Sequence, residues 1–220
     1  YEFTEVALPT ATFDVNGGTW TETSTDFTHI TNTDLYTIDV VDFKKPSNPT
    51  APSTDKGFLG WTVDSVIAGI TDFSMTVEDI NNSSSLDDSV KEHLTSLIKD
   101  YKKRYNITNV TNLLEVVEAY CLYDFDNDTP GGFTLYAVYS EAVTVTYHLM
   151  KAGGNNNHGW VGDAAGGQYA DGTFAESADN NRNHTIKYRK VAKGRILVKP
   201  KAPTFTNPGS GTYHFLYWTE

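Results

Sequence analysis

Cysteine is almost absent from this chain, which has a single one, Cys121, in 220 residues. One thiol cannot close an internal bridge, so a disulfide-stapled scaffold is excluded. Its neighbourhood, Val117 to Phe125, reads as apolar core, where a free cysteine behaves as a small hydrophobe rather than a nucleophile. Long apolar runs are missing as well. There is no stretch of 18 apolar residues and no basic-then-apolar leader, so nothing reads as a helix spanning a membrane. Basic residues are scarce, 17 Lys and Arg against 28 Asp and Glu, for a net charge of -11. Nucleic acids and anionic membranes need clustered cations to displace counterions, so neither is an expected partner. Catalytic signatures are lacking too. The chain has no Gly-x-Ser-x-Gly, no phosphate-binding glycine loop, and only scattered histidines (29, 93, 148, 158, 184, 214) without metal-ligand spacing. No enzyme or zinc site is expected, and calcium is the one cofactor left open.

What is present is a phrase written twice. Residues 10 to 64 and 144 to 220 run through the same order of events. Each opens on an alternating strand, Thr12-Phe13-Asp14-Val15 or Val145-Thr146-Tyr147-His148-Leu149, that leads into a Gly-Gly turn. A polar Gly/Asn/Thr loop follows, then a β-rich segment, Tyr36 to Phe43 or Ile186 to Val198. Prolines come next, Pro46, Pro49 and Pro52 or Pro200, Pro203 and Pro208, which cannot continue a ladder and demand an extended crossing. A short strand centred on Trp61 or Trp218 then returns, and a fixed order of this kind signals an internal repeat.

The first copy carries more. Between Trp61 and the strand at 132 to 141 the periodicity changes from two to about 3.6. Ser85, with Asp88 three residues on, reads as an N-cap before an apolar stripe of Leu86, Val90, Leu94, Leu97, Ile98, Tyr101 and Tyr105. Lys102, Lys103 and Arg104 suit the negative end of that helix dipole. A second helix, capped near Thr108 to Thr111, directs Leu113, Val116, Val117 and Tyr120 inward. Residues 65 to 121 therefore read as a helical insertion.

These motifs resemble the internalin-type B-repeat, also called the Listeria-Bacteroides repeat. The residues that carry the likeness are Phe13-Asp14-Val15-Asn16-Gly17-Gly18, the Pro46 to Pro52 crossing, Gly57-Phe58-Leu59-Gly60-Trp61, and Thr134-Leu135-Tyr136-Ala137-Val138-Tyr139. In the second copy "TYHLMKAGG" replaces the first phrase, Tyr217 stands where the pattern has Gly, and the closing strand is absent. The resemblance implies an α+β fold of two tandem β-grasp-like repeats, the first carrying the helical insertion. Residues 1–142 would form the first module and 143–220 the second, which lacks its closing strand. It further implies a location outside the cell, on a bacterial surface, among neighbouring repeats of the same protein, and it implies no catalytic residues. The start at Tyr1 without Met suits a mature or excised piece. "YEFTEVA" at 1 to 7 resembles "AVYSEAV" at 137 to 143, so it reads as the last strand of a preceding unit. It then completes the second unit, or a neighbouring molecule by strand addition, or belongs to an array cut out of phase.

Two stretches invite chemistry. Asp124, Asp126 and Asp128 in "DFDNDTPGG" have the spacing of a calcium loop, but Thr129 and Leu135 stand where an EF-hand needs Gly and Glu. Turn-forming hydrogen bonds are the expectation there, with a weak calcium site as the alternative. The Asn/Gly-rich loop at 153–183 cannot build a core, and it interleaves Trp160, Tyr169 and Phe174 with amides and acids in a mixture suited to sugar rings or peptide. Sequons at Asn81, Asn82, Asn106, Asn109 and Asn183 are background of a Thr/Asn-rich chain in a bacterial setting, and no motif identifies an isopeptide crosslink. The expected role is a non-catalytic stalk or spacer with a part in adhesion, touching a host or bacterial surface protein or glycan. Two alternatives stay open: a carbohydrate- or protein-binding module using the 153–183 loop, and a filament subunit that donates a strand.

Overall fold

Alternation in Thr10-Ala11-Thr12-Phe13-Asp14 sends Ala11 and Phe13 to one face, and both are fully buried in β1 (Thr10–Asp14) of the computed structural model. The structure describes residues 9–20, 24–150, 175–176 and 184–194. It is a mixed α+β protein that divides into two compact units. The described part of the first covers 9–20 and 24–141 with 193–194; that of the second covers 142–150, 175–176 and 184–192.

In the first unit, β1 pairs antiparallel with β3 (Leu35–Asp39), whose other edge carries the two-residue β2 (Thr28–His29). On its opposite side β1 runs parallel to the start of β5 (Thr134–Met150), with Phe13 opposite Leu135. β4 (Lys56–Thr62) pairs antiparallel with β5 across a bulge between Phe58 and Gly60. The order is β2-β3-β1-β5-β4, with the parallel pair in the middle. Between β3 and β4 the chain makes one 3-10 turn, Val40–Asp42, and then an extended crossing in which Pro46 and Pro49 are buried. Thr19 and Thr50 pin that crossing by exchanging backbone hydrogen bonds of 3.0 and 2.7 Å.

An aromatic cluster fills one face of this sheet. Ring centroids of Trp20, Phe27, Phe43, Trp61 and Phe125 all lie within 6.4 Å of Phe13, mostly edge-on or offset as ring quadrupoles prefer. Val138, which the two-residue period turns to the other face of β5, is also fully buried, so β5 is covered on both faces around Leu135 to Ser140.

Between β4 and β5 stand α1 (Ser65–Gly69), α2 (Val77–Asn82), α3 (Asp88–Tyr105) and α4 (Leu113–Val116), the last continued by a wider π-type turn to Cys121. The α3 stripe buries Leu94, Ile98 and Tyr101, while Tyr105 at its end is 47% exposed. Its N-cap position is Asp87, with no side-chain cap bond, rather than Ser85, whose hydroxyl bonds locally with Ser83 two residues earlier. Asn106 ends it in the left-handed conformation (φ 52°), and the Ile107 amide returns to Lys102 O. α4 is capped by Asn112, whose side chain accepts from the Glu115 amide. Asp64 caps α1 through one carboxylate oxygen and meets His93 of α3 through the other at 2.7 Å, tying the two helices together.

In the second unit the later residues of β5 pair antiparallel with β7 (His184–Ala192), whose other edge carries the two-residue β6 (Ala175–Glu176). The strands expected at 132 to 141 and 145 to 149 are thus one continuous strand; β7 ends at Ala192 and the chain turns at Lys193 and Gly194, while residues 195 to 198 of the expected β-rich segment lie outside the described residues. Pro200 to Pro208, Trp218 and residues 1 to 7 lie outside the described residues.

Candidate functional site

Among the described residues, the six from Phe13 to Gly18 gather an Asx turn, two positive-φ positions and several long-range hydrogen bonds. Phe13 is the centre of the aromatic cluster. The Asp14 carboxylate accepts from the Asn16 amide at 2.8 Å, closing an Asx turn. Val15 O accepts from both the Gly18 amide and the buried Tyr139 hydroxyl, each at 2.9 Å. Burial first, and the nearby Asp14 charge second, push the Tyr139 phenol well above its ordinary range, so it donates at any physiological pH. Asn16 and Gly17 have positive φ (49° and 77°). A Cβ on Gly18 would lie 2.0 Å from Tyr139 Oη and 2.6 Å from Thr50 O, so only glycine fits. The Asn16 amide nitrogen donates one hydrogen to Ala68 O at 2.8 Å and the other to Ala137 O at 3.0 Å, joining α1 to β5 across the turn.

Trp61 is equally committed: it is 2% exposed, packs edge-on to Phe13 and Phe58, and its carbonyl accepts from the Tyr123 amide at 2.7 Å. Its indole nitrogen is buried without a hydrogen-bond partner among the described residues, so the ring is held by packing alone. Gly60 beside it lets Leu122 approach to 2.9 Å of where a Cβ would stand.

The acidic turn before β5 is held by its own amides. The Asp124 carboxylate accepts from the Asp126 amide and the Asn127 side chain, and Asp128 accepts from the Asp124 amide at 2.8 Å. The Asn127 side chain foremost, with local amides, holds the Asp124 carboxyl below its ordinary value. The turn delivers Phe125 onto Phe43 and Phe13, stacked within 16° of each. Asp124, Asp126 and Asp128 therefore share one turn, and among the described residues no group of three or more His, Cys, Asp or Glu is arranged to hold a metal. Trp160, Tyr169 and Phe174 lie outside the described residues. Cys121 is half-buried, with burial pushing its thiol up to about 12, so it carries no thiolate at neutral pH. No described helix is long and apolar enough to cross a membrane.

One cluster has no local sequence signal. Lys193 Nζ stands 2.6 Å from Asp72 Oδ2 and 3.0 Å from Glu141 Oε2, each group about a third to two-fifths exposed. The three are far apart in sequence, so only the fold brings them together. An open groove of about 420 Å³ along α2 and α3 is lined by Asn81, Lys91, Glu92, Thr95, Ser96 and Lys99, mostly long or polar side chains. Compared with known proteins, the chain matches no family model, no curated protein and no solved structure.

Proposed function

We propose that the chain is a non-catalytic extracellular segment of a bacterial surface protein, built from two tandem β-grasp-like units, that extends a stalk and presents surfaces for contact with proteins or glycans. The observation that carries this reading is the repeated order of strand pairing. In each unit an opening strand (β1, or the later part of β5) pairs antiparallel with a second strand (β3 or β7), which pairs antiparallel with a two-residue strand (β2 or β6). The first unit adds a central parallel pair flanked by antiparallel neighbours, the order that a β-grasp uses. The resemblance to the internalin-type B-repeat accounts for both, and the residues that carry it are taken up by turn geometry and core packing, as a structural module requires.

Two experiments test the reading. Protease shaving of intact source cells is expected to release peptides of this chain; recovery only after lysis would overturn the surface location. Pulled from its two ends, the chain should unfold in two events, one for each unit, and a single event would refute the tandem organisation.

A further inference from the structure

We propose that the helical segment between β4 and β5 is a clamp for the returning chain: it seizes Lys193 and Gly194, where β7 hands the chain back to the first unit, and holds that point beside Glu141, where β5 leaves it. The proposal takes its purpose from the stalk reading, since a spacer under tension needs its exit and entry points fixed together, but its chemistry stands without it.

Four independent contacts converge on these two residues. The Lys193 amide donates to Glu141 O at 2.8 Å, while the Glu141 amide donates to Thr71 O at 2.7 Å, so the Glu141 backbone bridges the helical segment and the returning chain. The Lys193 ammonium is shared between the Asp72 and Glu141 carboxylates. Asp72 is aimed by Ser74, whose amide and hydroxyl both donate to its other oxygen at 2.9 and 2.5 Å. The Asn112 side chain, having used its oxygen to cap α4, uses its nitrogen to donate to Gly194 O at 2.9 Å. Gly194 itself has φ +91°, and a Cβ there would be 3.0 Å from the Ser74 backbone, so the chain lies flat against the segment only because that residue is glycine. Thr71, Asp72, Ser74 and Asn112 all come from the helical segment. Its polar loops face one short turn of chain, and its helices serve as the rigid mount.

Amide exchange on the full chain tests this with the Asn112→Ser, Lys193→Gln double variant. Serine keeps an oxygen for the α4 cap but cannot reach Gly194, and glutamine keeps the length of residue 193 without its charge. The amide of residue 193 should exchange roughly tenfold faster in the double variant and roughly threefold faster in Asn112→Ser alone, with α3 amides unchanged, as for a local opening. Unchanged exchange at residue 193, or a parallel rise through α3, would overturn the clamp. Because exchange reads the contact whatever the chain's setting, failure of the surface location would leave this result standing, and a failed clamp would leave the stalk reading standing.

Discussion

Gly18 shows how little freedom a single position has here. With a carbonyl and a phenol already inside the space a Cβ would fill, Gly18→Ala must push Tyr139 off Val15 O or part Thr19 from Thr50. A loss of about 2–4 kcal/mol in chemical unfolding is expected. Trp61 makes the opposite case. Its indole nitrogen is buried and unpaired among the described residues, so Trp61→Phe removes an unsatisfied donor along with some volume and should cost no more than ~1.5 kcal/mol. Trp61→Ala should cost about 3–5 kcal/mol. At Asp72, burial alone would raise the carboxyl, but the Lys193 ammonium and the Ser74 donors outweigh it and hold it below the ordinary range. Asp72 and Glu141 in turn raise Lys193. A lowered acid contributes above its unfolded value near ~4 and is lost as pH falls through its folded value, while a raised lysine contributes below ~10.5 and is lost as pH rises through its own. Both groups are partly solvated, so the contribution is screened to under ~1 kcal/mol. Asp72→Asn should therefore lower Tm slightly at pH 7, and the difference should close toward pH 2.

Among the elements, α3 is the most legible in the sequence. Leu94, Ile98 and Tyr101 recur at helical spacing and are the residues it buries, because a helix on a packed surface must turn one stripe inward whatever surrounds it. Leu94→Ala or Ile98→Ala should each cost about 2–5 kcal/mol, with smaller losses at the half-buried Val90 and Leu97. Its start lies two residues beyond the expected Ser85 cap, since a serine that bonds locally and a serine that caps a helix look alike in sequence. Asn106, in left-handed conformation, ends the helix without the glycine that usually signals a stop. The acidic turn is an element whose composition points two ways, because the same carboxylates that could hold calcium also close turns. As the Asp124 carboxylate already accepts from Asp126 and Asn127, Asp124→Ala should cost roughly 1 kcal/mol by freeing Phe125, and chelation with EDTA should leave the wild-type Tm unchanged.

For the whole molecule, the proposed adhesive surfaces can be probed directly. If the loop at 153–183 grips glycans, array binding should fall at least about tenfold in Trp160→Ala, the loss of one stacked ring. Binding that survives the change would move the site elsewhere.

The sequence by itself determined the local grammar: strands by alternation, turns by Asn-Gly-Gly, a crossing by prolines, a helix by its stripe, and mixed α and β by their succession. Each follows from φ/ψ limits or from the need of a short segment to bury one face. Only the tertiary structure decided that Asn16 joins α1 to β5, that two expected strands are one, and that Asp72, Glu141, Asn112 and Lys193 meet around a single turn of chain. Those are matters of which distant backbone atoms come within about 3 Å, and no window of neighbouring residues contains that information.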